Sequence, residues 1–237
     1  MQNGLRRTKM TRYEIFLFDA DATLYDYDMA EANALKQMFR KCGFDYSEEI
    51  RNKYRKINTH VWECYENGEI TKEELQSLRF IRLFADIGVQ YDVIEFNKQY
   101  LFELGKGTFL IEGALEICEY IVSSGKKIYI ITNGVLATQT SRIKHSPLRD
   151  YITDFFVSEL VGYKKPDALY FEHVLLHIPP IDKNKILIIG DSLTADIKGG
   201  DNTGIDTCWF NEYQKENHTG IVPTYEIQKL SEIRMFV

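Results

Sequence analysis

Five short apolar runs punctuate the chain: Ile15 to Phe18, Lys127 to Thr132, Asp154 to Ser158, Lys185 to Gly190 and Asp206 to Phe210. Each is rich in β-branched or aromatic residues and apolar at consecutive positions, the pattern of a strand covered on both faces. Helical patterns separate them at Gly113 to Ser124, at Asp167 to His177 (stopped by Pro179 and Pro180), and at Ser192 to Gly199. Strand, helix, strand, repeated, predicts a parallel α/β sheet.

Residues 27–107 break that rhythm. They contain no strand-like run, are dense in charge, and place apolar residues three and four apart, as in Ala34-Leu35-Met38-Phe39 and Leu75-Leu78-Ile81-Leu83-Phe84. Thr71 with Glu74 spells a capping box, Ser47 ahead of Glu49 and Ile50 marks another helix start, and Gly68, Gly88, Gly105 and Gly107 mark stops or hinges. The expected division is an α/β core over 10–26 and 108–237 with a helical domain, 27–107, inserted after the first strand. Met10 is as good a start as Met1, which leaves residues 1–9 as an expected disordered extension. Ligands of open α/β sheets bind beyond the carboxyl ends of the strands, and the insertion departs from that edge directly after Asp21, where it can act as a lid.

Composition narrows the partners. The chain has 237 residues, 44% of them hydrophobic, enough for a real core, and a net charge of -6 with both signs interspersed. Binders of nucleic acid polymers or anionic membranes concentrate Lys and Arg, so neither is an expected partner, whereas a small anion is compatible if the site supplies its own cations. No apolar stretch approaches the roughly 18 residues that span a bilayer, and Arg6, Arg7 and Lys9 precede no uninterrupted apolar signal region. Cys42, Cys64, Cys118 and Cys208 lie far apart with no Cys-x-x-Cys pair, as reduced thiols of a cytoplasmic protein would.

The apolar runs end in polar residues. Asp19 and Asp21 close the first; residues two apart on an extended chain point to one side, so the like charges crowd together unless a cation or a phosphate engages them. Thr132-Asn133-Gly134 closes the second, Gly190-Asp191-Ser192 the fourth with Asp196 one turn on, and Lys164-Lys165-Pro166-Asp167 forms a loop between them. Singly, each has a plain reading as a loop or helix cap. Together and in this order they resemble the four motifs of the haloacid dehalogenase superfamily of aspartate-nucleophile phosphohydrolases, and the insertion is similar to that superfamily's all-helical cap.

The resemblance implies a Rossmann-like core with a helical cap domain, and two-step hydrolysis of a phosphate ester through an aspartyl-phosphate. A carboxylate attacks a phosphate dianion only if the repulsion is neutralised, here by Mg²⁺ and a lysine. Asp19 would be the nucleophile and, with Asp191 and the backbone carbonyl of Asp21, would hold the metal. Thr132, Asn133 and Lys165 would bind the phosphoryl group, Lys165 being the lysine directly before the proline. Asp21 would protonate the leaving alkoxide and later take a proton from water. Asp196 would orient the lysine or a metal-bound water.

Specificity is expected in the insertion. Trp62, Tyr65, Phe80 and Phe84 offer rings to stack on a base, and Asn58, His60 and Arg79 offer hydrogen bonds, although a helical bundle also needs such residues for its core. The segments 58–71, 132–135, 189–200 and 221–227 resemble pyrimidine 5'-nucleotidases acting on noncanonical nucleoside monophosphates, with Ala22 departing from the polar or acidic residue many members carry there. That implies a nucleoside monophosphate as partner and a monomer or homodimer. Three rivals stand beside it. A dehalogenase would not need an acid at Asp21, a sugar-phosphate hydrolase or mutase shares every motif, and a silent binding protein would be expected to have lost one of Asp19, Asp21, Lys165 or Asp191. His173 and His177, four apart on a helix but without a Glu-x-x-His context, read as packing, as do Gly199 and Gly200.

Overall fold

A computed structural model describes residues 13–237. The extension expected over residues 1–9 lies outside the described residues. The strands are β1 (Ile15–Phe18), β2 (Lys127–Thr132), β3 (Ile152–Val157), β4 (Ile186–Gly190), β5 (Asp206–Phe210) and β6 (Tyr225–Ile227). They form one sheet in the order β3-β2-β1-β4-β5-β6, every pairing parallel. Consecutive apolar positions follow from burial on both faces. Phe16 and Phe18 join one core cluster with Ile117, Ile121 and Ile233, while Ile15 and Leu17 join another with Tyr170, Phe171 and Val174.

Three boundaries differ from the sequence reading. β3 starts at Ile152, two residues before the predicted Asp154, because Ile152 already pairs with Ile128 ahead of a register shift. The segment 225–227 is an unpredicted edge strand, too short to show a period. The predicted helix from Ser192 is a π-helical turn, Leu193–Ile197, running into a short α-helix, Lys198–Thr203. In that helix an added Cβ would fall on the Phe171 ring at Gly199 and on Thr207 at Gly200, so both glycines serve close packing onto the sheet.

Between β1 and β2 run α1 (Tyr27–Cys42), α2 (Glu48–Glu66), α3 (Lys72–Ile87), α4 (Val93–Leu104) and α5 (Ala114–Ser123). The first four pack on one another around Phe39, Tyr54, Phe80, Phe84, Phe96 and Tyr100, a core distinct from the two beside the sheet. Phe80 and Phe84 are therefore packing residues, not base platforms. Local chemistry fixes the helix ends. Asp26, Ser47 and Asp92 cap α1, α2 and α4, and Thr71 and Glu74 form a reciprocal capping box on α3. The returning chain passes α1 so closely that a Cβ at Gly107 would overlap Ala30. Past β2 lie α6 (Leu136–His145), α7 (Ser158–Val161) and α8 (Ala168–His177). Among the described residues no helix is long and apolar enough to cross a membrane, and the four cysteines are free thiols.

Candidate active site

The site is built at the carboxyl edge of β1, β2 and β4. Asp19 follows β1, its amide donating to Ile189 O at 2.8 Å, and the chain turns back tightly, the Leu24 and Tyr25 amides both reaching Ala20 O. Ala22 takes a left-handed conformation (φ 60°) in this turn, an uncommon choice for a residue with a Cβ. Tyr25 then bridges to both Asp21 and Leu110, and Asp26 N donates to Phe109 O, so the outgoing and returning strands of the insertion run side by side.

The Lys165 ammonium is the centre of the site. It is buried, and its three donors find three acceptors: Asp19 Oδ1 at 2.5 Å, Asp196 Oδ1 at 2.7 Å and Ile131 O at 3.0 Å. Burial alone would lower its pKa, but the facing Asp19 and Asp196 carboxylates win and raise it. Its main chain is clamped by Asn133, whose Nδ2 donates to Lys165 O (3.0 Å) and whose Oδ1 accepts from Lys165 N (2.9 Å). The Asn133 side chain thus fixes the Lys165 loop while it also lines the cleft. Asp196 comes back over Gly190, where a Cβ would collide with its carboxylate, and its Oδ2 accepts from Ser192 N at 3.2 Å. Asp196 lies within the π-helical turn Leu193–Ile197.

Asp19, Asp191 and Asp196 place one carboxylate oxygen each within 4.8 Å of one another. Lys165 is bonded to two of the three, and the Lys215 ammonium stands near the third, Asp191, so the carboxylates outnumber the ammonium groups. Burial, with Asp196 and Asp191 nearby, holds the Asp19 carboxyl well above the ordinary range although Lys165 opposes the shift, and burial with Asp196 pushes Asp191 up to about 7 against Lys215 and Lys165. A cluster of hard oxygen donors carrying uncompensated negative charge fits a divalent cation such as Mg²⁺.

Thr132 turns its Oγ1 into the cleft, accepting from Gly134 N at 2.9 Å, while its own amide donates to the Tyr170 hydroxyl. Asp21 also lines the cleft, and its carboxylate meets two donors that the sequence reading missed: Gln139 Nε2 at 2.5 Å and the Arg142 guanidinium. Their signal was present as two polar residues three apart on the helix after Thr132. His173 and His177 stack on each other, ring centroids 4.1 Å apart, beside Phe156.

The insertion roofs a cleft of about 400 Å³ whose floor is Asp19, Thr132, Lys165 and Asp191 and whose roof includes Trp62, Asn58 and Glu66. Three bonds tie roof to floor: Lys72 to Asn133 O, Lys164 to Tyr65 O, and Thr194 Oγ1 to Glu66 Oε2 at 2.9 Å. The Lys72 ammonium also lies over the Trp62 ring, 4.7 Å from its centroid, and burial brings its pKa down to about 8. Arg79 does not reach the cleft. It is buried behind Asn58, bonding Asn97 Oδ1 at 2.7 Å and Asn58 Oδ1 at 3.5 Å, so it braces a roof residue instead of binding a ligand. His60 is exposed outside the cleft lining.

Asn58 Nδ2 in turn donates to the buried Glu31 at 2.9 Å and to the Tyr27 hydroxyl at 3.1 Å. Burial and neighbouring Asp28 push the Glu31 carboxyl from 4.5 up to about 7, against Arg79 and Arg55 and the Tyr27 hydroxyl bond. The folded protein thus holds this proton more tightly than the unfolded chain, and stability falls as pH rises from about 4.5 to about 7, by about 3 kcal/mol in all. Glu31→Gln keeps the shape without the ionisation. Urea unfolding across pH should show the variant gaining about that amount on the parent between pH 4.5 and 8; parallel profiles would mean that Glu31 titrates normally.

Residues 16–210 match the haloacid dehalogenase-like hydrolase family. YfnB of Bacillus subtilis, designated a HAD-hydrolase, is 40% identical over 224 residues, covering 94% of this chain and 95% of that protein. The pyrimidine 5'-nucleotidase PynA of Streptococcus pneumoniae is 38% identical over 93% of each chain. The pyrimidine 5'-nucleotidase YjjG of Escherichia coli is 31% identical over 95% of this chain and 98% of its own. A crystal structure of YfnB bound to magnesium superposes with a TM-score of 0.90 at 39% identity, over 95% of this chain and 99% of that one. The family match runs from β1 to the end of β5 and so contains Asp19, Thr132, Lys165 and Asp191, and the chain belongs to the haloacid dehalogenase-like hydrolases as a phosphatase.

Proposed function

We propose that the protein is a Mg²⁺-dependent 5'-nucleotidase acting on pyrimidine nucleoside monophosphates, with α1–α4 as its cap. The observation that carries the reaction is the Lys165 ammonium bonded to Asp19 beside two further carboxylates, at the floor of a cleft roofed by an aromatic side chain. Asp19, Asp191 and the Asp21 carbonyl would hold the metal, which when bound supplies Lewis-acid neutralisation of the phosphate charge. The Asp19 carboxylate attacks phosphorus and the bond to the ester oxygen breaks; that oxygen takes the proton carried by Asp21 and leaves as the alcohol. Water then attacks the aspartyl-phosphate, giving its proton to Asp21, and Asp19 is released with inorganic phosphate. Lys165 and Thr132 face the charge that moves during both transfers, and Asp196 and Asn133 hold Lys165 in place.

The substrate class rests on the kinship with PynA and YjjG and on Trp62 in the roof, positioned to stack on a base. A sugar-phosphate hydrolase or mutase remains the rival, since the floor serves any ester. Phosphate release from nucleoside monophosphates, sugar phosphates and small aryl esters, with Mg²⁺ and then with chelator, separates them. Chelator-sensitive hydrolysis favouring pyrimidine monophosphates is expected. Trp62→Ala should lower kcat/KM for the nucleotide by about tenfold, the worth of a stacked ring, and spare the small ester. A preference for sugar phosphates would keep the mechanism and discard the nucleotidase.

A further inference from the structure

The catalytic floor does not account for Gln139 and Arg142. Both sit on one face of α6, and both are almost wholly buried, Arg142 at 0% exposure and Gln139 at 1%. A buried guanidinium is costly unless well paired, and this one is incompletely paired. Its Nε has no partner, its reach to Leu104 O is 3.5 Å, and its close pairing is to Asp21 Oδ1, while the ring of Tyr25 lies under it, centroid 5.5 Å away. Gln139 likewise leaves Oε1 unpartnered and directs Nε2 to Asp21 Oδ2 at 2.5 Å. The two side chains thus take one carboxylate oxygen each. A third residue is shaped around this arrangement. Gly134 lies beneath the Gln139 side chain, and a Cβ there would overlap its amide. The glycine of Thr132-Asn133-Gly134 opens the path by which Gln139 reaches Asp21.

We propose that Gln139 and Arg142 are positioning residues that fix the rotamer of the Asp21 side chain, holding its carboxyl at the cleft where the leaving oxygen departs. The inference rests on Asp21 being the general acid of the reaction proposed above. A side chain on a turn, 28% exposed, has several rotamers open to it. Two donors, one per oxygen, select a single one, in the way that the partner of a catalytic base fixes its orientation. Neither residue needs to touch the substrate for this.

The dependence on leaving group separates positioning from packing. In kcat/KM only the steps up to departure of the leaving group count. A nitrophenolate departs with little help from an acid, whereas a nucleoside 5'-alkoxide must be protonated. Gln139→Met removes the donor and keeps the length; Arg142→Lys keeps the charge and loses the second donor arm. Each, with Asp21→Asn alongside, would be assayed on a nucleoside monophosphate and on p-nitrophenyl phosphate, with Mg²⁺ affinity and circular dichroism recorded. The expected result is a loss in kcat/KM of about 10- to 100-fold for the nucleotide and less than about threefold for the aryl ester, with metal affinity unchanged. Equal losses on both esters would overturn the proposal and leave the pair as an anchor for α6. Leaving-group dependence in Asp21→Asn with none in Gln139→Met would do the same while sparing Asp21 as the acid. No such dependence in Asp21→Asn would remove the acid role itself and the proposal with it. Should Arg142→Lys fail to fold, Gln139→Met decides alone.

Discussion

Asp19→Asn is expected to lower phosphate release by about 10⁴-fold or more, the scale on which removal of a covalent nucleophile acts, and to leave a folded protein. The electrostatics make the second half of that expectation specific. Burial and the nearby Asp196 and Asp191 hold the Asp19 carboxyl well above its ordinary range despite Lys165, so at neutral pH its ionised form weighs against the metal-free fold. Asparagine has the same shape and no charge, and Lys165 keeps its bond to Asp196. The variant should therefore melt no lower than the parent in chelator, and should gain less from added Mg²⁺ because one metal ligand is weakened. Calorimetry with and without Mg²⁺, beside the phosphate assay, reads both halves. Substantial turnover by Asp19→Asn would sink the nucleophile assignment.

What could be read from the sequence divides along physical lines. Buried parallel strands announce themselves because both faces must be apolar, so β1, β2, β4 and β5 were found nearly to the residue. Their carboxyl ends were legible for the same reason, since a polar residue after such a run has nowhere to go except the edge. β6 was missed because three residues, one of them exposed, carry no period. The insertion was legible as helices through its caps and spacing, but not which aromatics face inward. Phe80 and Trp62 look alike in a helical pattern, and only the crossing of α2, α3 and α4 puts one in the core and the other over the cleft. Arg79 was misjudged for a related reason: a polar side chain beside a site can serve its neighbours instead of its ligand, and Arg79 braces Asn58. Arg142 and Gln139 went unnoticed because their partner, Asp21, lies more than a hundred residues away in sequence, at 121 and 118 positions.

Lys165→Met should be costly on two counts that one experiment can separate. The ammonium faces Asp19 and Asp196 in a site where it and both carboxylates are buried, and methionine fills much the same volume without charge or donors. Removing one partner of a buried ion pair strands the others, at a cost of about 3–5 kcal/mol. The metal-free variant is therefore expected to unfold at markedly lower temperature than the parent. Mg²⁺ brings positive charge to the same carboxylates, so it should restore part of that stability and raise the melting temperature of Lys165→Met more than that of the parent. Catalysis should not follow. The lysine meets charge that develops on the transferring phosphoryl group, a loss of about 10³-fold in kcat that metal bound elsewhere in the cluster does not replace. A variant rescued in stability by Mg²⁺ but still inactive would assign Lys165 both roles, countercharge in the resting protein and charge stabiliser in the reaction. If instead Mg²⁺ restored activity along with stability, Lys165 would be a structural countercharge alone, and the stabilisation of the transferring group would have to come from the metal and the Thr132 end of the cleft.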